Sequence, residues 1–171
     1  IDPLLGYYAG IRGWSLDHHL TLRFHRQVEA WRRWRRDKYL QKTRRTCTAF
    51  VARRTKYRFT VYDRAWFSNR DRGILASPDT YIEKGRLLKN GNSATVAKVS
   101  LGGHPLVIKR YNIKNHLHAL QRCLRPSRAM RSWENAHMLK FLGVPTPQPI
   151  AVVEERWCFF RKRAYLITEY L

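Results

Sequence analysis

Leu87-Leu88-Lys89-Asn90-Gly91-Asn92-Ser93-Ala94-Thr95-Val96-Ala97-Lys98-Val99, then Gly102-Gly103, then Leu106-Val107-Ile108-Lys109, reads as strand, glycine turn, strand, tight turn and a third strand ending in a lysine. Short apolar runs separated by Asn-Gly and Gly-Gly are the pattern of antiparallel hairpins. A turn that exposes backbone N–H groups, followed by a buried strand that delivers one lysine, is how one half of a nucleotide site is built. The other half is expected to lie beyond Leu171, and the absence of Met at residue 1 suggests a trimmed or partial chain.

Outward from this stretch, Ser77-Pro78-Asp79 predicts the start of a short helix, with Ser77 as cap and Pro78 at the first helical position. On the C-terminal side, Leu117 to Leu124 predicts a short helix. Pro126-Ser127 opens a longer one to about Phe141, with Ala129, Trp133, Ala136 and Leu139-Lys140-Phe141 as its inner face. Gly143 ends that helix, and Pro145 and Pro147 prevent its return. Ile150 to Glu154 and Ala164 to Thr168 are a fourth and a fifth strand.

Before residue 81 the pattern differs. Residues 1 to about 15 read as a loop anchored by Tyr7, Tyr8 and Trp14. From about residue 16 to Arg45, Leu20, Phe24, Val28, Trp31 and Trp34 recur at three- or four-residue spacing, with Asp17 as N-cap; ten Lys and Arg against Glu29 and Asp37 make the other face basic. Thr46 to Arg53 and Tyr57 to Tyr62 alternate around a polar turn as a β-hairpin, and Asp63 to Ala76 reads as a linker. The expected organisation is an extension over 1–80 and a compact unit over 81–171.

The chain has 171 residues, of which 44% are hydrophobic, so a packed core is expected. No apolar run approaches the ~20 residues that span a bilayer, so any membrane contact is expected to be peripheral. Net charge is +22, from 34 Lys and Arg against 12 Asp and Glu, which predicts polyanionic partners. Cys47, Cys123 and Cys158 are widely spaced, which speaks against a disulfide framework or a zinc knuckle. His116 and His118 do not share a helix face and bring no Asp, Glu or Cys with them, so no metal site is expected there.

Five strands with a long helix between the third and the fourth is the order of the small lobe of protein-kinase-like folds. Leu88-Lys89-Asn90-Gly91-Asn92, Val107-Ile108-Lys109-Arg110-Tyr111-Asn112, Leu124-Arg125-Pro126-Ser127-Arg128-Ala129, Gly143-Val144-Pro145-Thr146-Pro147 and Thr168-Glu169-Tyr170-Leu171 occur in sequence as they do in one group. From about Gly85 to Leu171 the chain resembles the lipopolysaccharide core kinase family, the bacterial Kdo and heptose kinases. The fold so implied is α+β, a protein-kinase-like small lobe with a five-stranded antiparallel sheet and a long helix, preceded by the basic helical extension and the β-hairpin. Residues 1–80 read either as an extension or as the tail of a preceding kinase-like domain.

The resemblance implies ATP-dependent phosphorylation of a sugar hydroxyl in the lipopolysaccharide inner core, at the cytoplasmic face of the inner membrane. Its partners would be the core glycolipid and the anionic membrane surface, with no specific nucleic acid. Gly91 matches the middle glycine of the kinase loop, Ala94 replaces the last and Val96 matches its valine; Asn92, Ser93 and Ala94 would lie against the phosphates. An ordinary Asn-Gly hairpin turn has the same residues. Lys109 would contact the α- and β-phosphates, or else snorkel to water from an edge strand. Val96 and Val107 would pack on adenine, or simply in the core. Glu169 would offer its C=O and Leu171 its N–H to the adenine edge. Mg²⁺ ligands and the catalytic base are expected outside this chain, because no His-x-Asp or Asp-x-Gly segment follows; Asp71-Arg72-Gly73 lies before the lobe and reads as a loop.

Counted back from Gly143, the glutamate that partners the lysine in related kinases falls at Ser132. The nearest acid is Glu134, about 200° round an ideal helix. Glu134 partners Lys109 only if the helix is rotated or shifted; otherwise a degenerate kinase-like scaffold, bound to an anionic membrane or a partner, is the alternative. Arg122, Arg125 and Ser127-Arg128-Ala129-Met130-Arg131 form a basic group that faces anionic substrate or solvent. A nucleic-acid module, with Trp31, Trp34 and Tyr39 stacking bases, has no recognised motif behind it.

Overall fold

A computed structural model describes residues 2–15, 17–112, 126–157 and 160–171. The chain forms two compact units, Ile1–Lys38 and Tyr39–Leu171. The expected helix at 117–124, together with His116, His118, Arg122, Arg125, Cys123 and Cys158, lies outside the described residues.

The first unit holds a helix where a loop was expected. Helix α1 spans Asp2–Arg12. Gly6 and Gly10 lower its intrinsic propensity, but Leu4, Tyr7, Tyr8 and Ile11 repeat at helical spacing, and Pro3 falls in the first turn, where its missing N–H has no intrahelical partner to lose. Helix α2 begins at His18 and runs to Lys42. Asp17 caps it as expected: Leu20 N–H donates to Asp17 Oδ1 at 2.6 Å. None of its side chains is fully buried. Of the expected stripe, Leu20, Phe24 and Val28 are half-buried, whereas Trp31 and Trp34 are exposed and meet edge-to-face at 5.3 Å.

The second unit is built on one antiparallel sheet. Its strands are β1 (Phe50–Arg54), β2 (Arg58–Asp63), β3 (Arg86–Asn90), β4 (Ala94–Leu101), β5 (His104–Tyr111), β6 (Pro149–Trp157) and β7 (Phe160–Glu169), in the order β1-β2-β6-β7-β5-β4-β3. The expectation of five strands with a separate hairpin is corrected to seven in one sheet. Strand β2 pairs with β6, Thr60 opposite Val153 and Val61 opposite Val152. The reason is burial on both sides: Phe59, Thr60, Val61 and Tyr62 are all buried, which requires a central strand.

Helices α3 (Gly73–Ala76) and α4 (Pro78–Lys84) cover one face, where Ile74 and Ile82 join Ala97, Val99, Leu106, Ile108, Ile150 and Ile167. Helix α5 (Arg128–Phe141) covers part of the other; its Ala129, Met130 and Trp133 pack on Phe50, Phe59, Val61, Tyr111, Val152 and Leu166. The helix opens after Pro126-Ser127 as expected, and Ser127 caps it, its Oγ accepting from Met130 N–H at 3.0 Å. Ser77 precedes α4 and Pro78 is its first residue, but the Ser77 side chain makes no capping bond.

Two glycine positions are dictated by geometry. Gly102 and Gly103, at φ +56° and +81°, form the two-residue turn between β4 and β5, where both central residues need positive φ. At Gly85 the limit is space: a Cβ there would lie 2.7 Å from Lys98 O, 2.7 Å from Val99 Cγ1 and 3.0 Å from Tyr81 O. Gly85→Ala is therefore expected to lower unfolding stability by about 2–3 kcal/mol, since backbone atoms cannot give way as a flexible side chain would. At Gly91 a Cβ would meet only Ala94 O at 3.5 Å and Lys89 Cε at 3.7 Å, so Gly91→Ala is the near-neutral control in the same urea titration. Equal losses for the two would contradict this packing.

Candidate functional site

Among the described residues, helix α5 packs mainly on β6 and β7 and meets β5 less. Side chains alternate along a strand, so Lys109 and Val107 share the face of Tyr111, and Val96 and Lys98 lie directly across. Val96 is opposite Lys109, Lys98 opposite Val107, and Thr168 on β7 opposite Val107. All five are half-buried. The result is an apolar strip flanked by two ammonium groups, at the margin of the core under α5.

Lys109 makes no ion pair among the described residues; its Nζ lies 5.1 Å from the centre of the Tyr111 ring. The Tyr111 hydroxyl meets Ser132 Oγ on α5 at 2.8 Å. Residue 132 therefore faces the strand that carries Lys109. Glu134 points elsewhere: Arg44 Nε stands 2.5 Å from its Oε1, off the line needed for a hydrogen bond. Two residues are about 200° apart on a helix, so with Ser132 turned toward β5, Glu134 is turned away. The structure thus places Lys109 and Ser132 on one side, and Glu134 with Arg44 on the other.

The Gly91 turn is tied to the far end of β5. Gly91 N–H donates to Ala94 O at 3.1 Å, so this donor is already engaged. Asn112 donates from Nδ2 to Gly91 O at 3.1 Å and from its backbone N–H to Ser93 O at 3.2 Å. Asn92 is exposed and Ser93 half-buried, while Ala94 is buried in β4. Arg110 Nε holds Asn112 Oδ1 at 3.0 Å, and Arg110 Nη1 reaches Asp79 on α4 at 3.0 Å.

Asp79 also accepts from Arg163 and from the Tyr165 hydroxyl, each at 2.9 Å. Burial alone would raise the Asp79 carboxyl, but the hydrogen bonds from Arg110 and Tyr165 and the charges of Arg110 and Arg163 hold it below its ordinary value. Burial, with the neighbouring Asp79, pushes the Tyr165 phenol up. Asp79 so pairs with two arginines, whereas Lys109 has no carboxylate partner among the described residues.

At the near end of β5, Glu169 N–H donates to Gln148 O at 3.0 Å and Tyr170 N–H to Pro105 O at 3.1 Å. Lys98 Nζ sits 3.7 Å from the centre of the Tyr170 ring, and Leu171 is exposed. Segment 169–171, Val107, Lys109 and the Gly91 turn therefore follow one another along β5, with Val96 opposite Lys109. The four steps of strand from Pro105 to Lys109 span about 13 Å. An apolar strip leading to an unpaired cation and then to a turn suits an elongated ligand, flat and apolar at one end and anionic at the other.

Among the described residues no group of three His, Cys, Asp or Glu side chains is placed to hold a metal ion. Asp71 Oδ1 accepts from Gly73 N–H at 3.0 Å, a local turn. Of the basic group at 127–131, Arg128 and Arg131 are exposed, and Ala129 and Met130 are core. Sequence reasoning missed Tyr111 and Lys98. The signal was present, since both stand two residues from an identified position and so share its face. Compared with known proteins, the chain matches no family model, no curated protein and no solved structure.

Proposed function

We propose that this chain forms the nucleotide-binding part of an ATP-dependent sugar kinase with a protein-kinase-like small lobe, acting on the lipopolysaccharide inner core at the cytoplasmic face of the inner membrane. The carrying observation is Lys109, half-buried and free of any carboxylate among the described residues, between the valine pair Val96 and Val107 and the turn at Gly91. The order β3-β4-β5-β7-β6, with a long helix between the third and fourth of these strands in sequence, supports the kinase-like reading. The acceptor and the membrane face rest on the resemblance of residues 85–171 and on the +22 charge, which suits an anionic glycolipid on an anionic surface. No helix among the described residues is long and apolar enough to cross a membrane.

In this reading Lys109 holds the phosphates by charge, and the N–H groups of Ser93 and Ala94 lie beside them. Val96 and Val107 pack on the base, and Glu169 and Leu171 meet its edge through backbone groups. Mg²⁺, held by groups outside the described residues, would supply charge neutralisation at the transferring phosphoryl group.

The test is phosphate transfer from labelled ATP to purified lipopolysaccharide core, catalysed by the protein that contains this chain. Lys109→Ala is expected to lower transfer by about 10²–10³-fold with folding intact. Transfer unchanged by that substitution would overturn the reading.

One observation favours a second reading, a kinase-like scaffold that binds nucleotide without transferring phosphate. Ser132 occupies the position facing Lys109, and Glu134 is held by Arg44. Mg-ATP binding that depends on Lys109, with no transfer to any glycolipid, is the result that selects it.

A further inference from the structure

Helix α1 presents an apolar stripe to solvent. At 100° per residue, Leu4, Tyr7, Tyr8 and Ile11 fall within about 100° of arc. Leu4, Tyr7 and Ile11 are 76%, 73% and 65% exposed, and Tyr8 and Trp14 about half. On the remaining face Ala9 is buried and Leu5 half-buried. The stripe is therefore the outward side of a helix whose other side is already packed.

Three neighbouring features decide what covers it. Helix α2 carries eight Lys and Arg against two acids, with Trp31 and Trp34 exposed. Trp14, stacked on Phe24 at 6.4 Å, sits where the chain turns from α1 into α2. At that corner is an open hollow of about 590 Å³, lined by Trp14, Leu20 and Phe24 with Arg23 beside them, so that apolar walls adjoin a guanidinium.

We infer that α1 is an interfacial helix that lays Leu4, Tyr7, Tyr8 and Ile11 into an anionic lipid surface, with the arginines of α2 at the headgroups. Aliphatic side chains flanked by Tyr and Trp, next to basic charge, are the composition of a helix lying in the plane of a membrane interface. A second copy would bring the same positive charge to the contact and be repelled. Nucleic acid would engage the arginines and leave Leu4 and Ile11 in water. The inference stands apart from the phosphotransfer reading, since none of these residues belongs to the Lys109 group.

The test is co-sedimentation of the 171-residue chain with phosphatidylcholine vesicles, pure or with roughly one part in four of phosphatidylglycerol. Wild type is expected to bind the anionic vesicles at least about tenfold more tightly than the neutral ones. The combined Leu4→Ser, Tyr7→Ser, Ile11→Ser variant is expected to lose about tenfold or more on anionic vesicles, with its circular dichroism unchanged. Leu4→Trp, which adds interfacial apolar area without removing any, is expected to tighten binding by about twofold or more. Binding by the serine variant equal to wild type would show that charge alone attracts lipid, and would overturn the inference. So would self-association that disappears in the serine variant while wild type ignores vesicles, since the stripe would then be covered by a second copy.

Discussion

Replacing Trp133 with alanine is expected to lower the stability of the Tyr39–Leu171 unit by about 4–6 kcal/mol. Trp133 is fully buried, with Phe50 at 5.8 Å and His137 at 4.2 Å, both edge-to-face. Its indole N–H donates to Thr43 O at 3.0 Å. Alanine opens a cavity, worth about 3–5 kcal/mol for so large a side chain, and leaves a carbonyl without its donor, worth about 1 kcal/mol more. Against the 5–15 kcal/mol typical of a whole domain, that takes the unit close to unfolding. Urea denaturation checks it, with Trp133→Phe as comparison: phenylalanine keeps most of the packing and should cost about 1–3 kcal/mol. A loss below about 1 kcal/mol for alanine would mean that α5 is not held by this residue. The effect should reach the site, because α5 carries the Ser132 hydroxyl that fixes Tyr111 beneath Lys109.

Acidification from pH 7 to pH 5 is expected to destabilise the same unit by about 2 kcal/mol through His137 alone. His137 is 1% exposed; its Nδ1 shares a 3.0 Å hydrogen bond with the Tyr39 hydroxyl, and its Nε2 has no hydrogen-bond partner among the described residues. Burial first, and then the charge of Lys140, push its pKa down to about 3. The unfolded chain titrates near the ordinary value of 6.5, so between pH 6.5 and 3 it binds more protons than the folded protein does. Stability is then fully present above the unfolded value and falls as pH drops toward the folded one. Asp79, held below its ordinary value, acts in the same direction but at lower pH, as the solution falls through the carboxylate range. Urea midpoints at pH 7, 6 and 5 separate the two, and His137→Leu should flatten the dependence in that window. An equal slope in wild type and variant would place the proton uptake elsewhere.

Local signals carried much of the second unit. The Gly102-Gly103 turn, the helix start after Pro126-Ser127 and the alternation at Leu106 to Lys109 are short-range features, each satisfied by neighbours in sequence, and each appears where its residues predict it. The seven-strand sheet was not legible in the same way. The Thr46–Tyr62 segment showed a hairpin, but its joining to β6 depends on Val61 meeting Val152, ninety-one residues away, which no local pattern encodes. Helix α1 was missed for the opposite reason. Its glycines argued locally for a loop, and a periodicity of only four apolar residues outweighed them.

The candidate site divides along the same line. Which strand delivers Lys109, and which residues share its face, follow from a period of two and could be read from the chain. The partner of Lys109 could not, because a helix's rotation about its axis is set by packing rather than by its own sequence. Trp133 is buried, so Ser132 turns to Tyr111 and Glu134 to Arg44. By itself the sequence determined the strands, the turns, the Asp17 cap, the basic charge and the lysine. The tertiary structure alone decided that the hairpin completes the sheet, that the acid on α5 faces away from Lys109, and that α1 leaves an apolar stripe in water, since each depends on contacts between residues far apart in the chain.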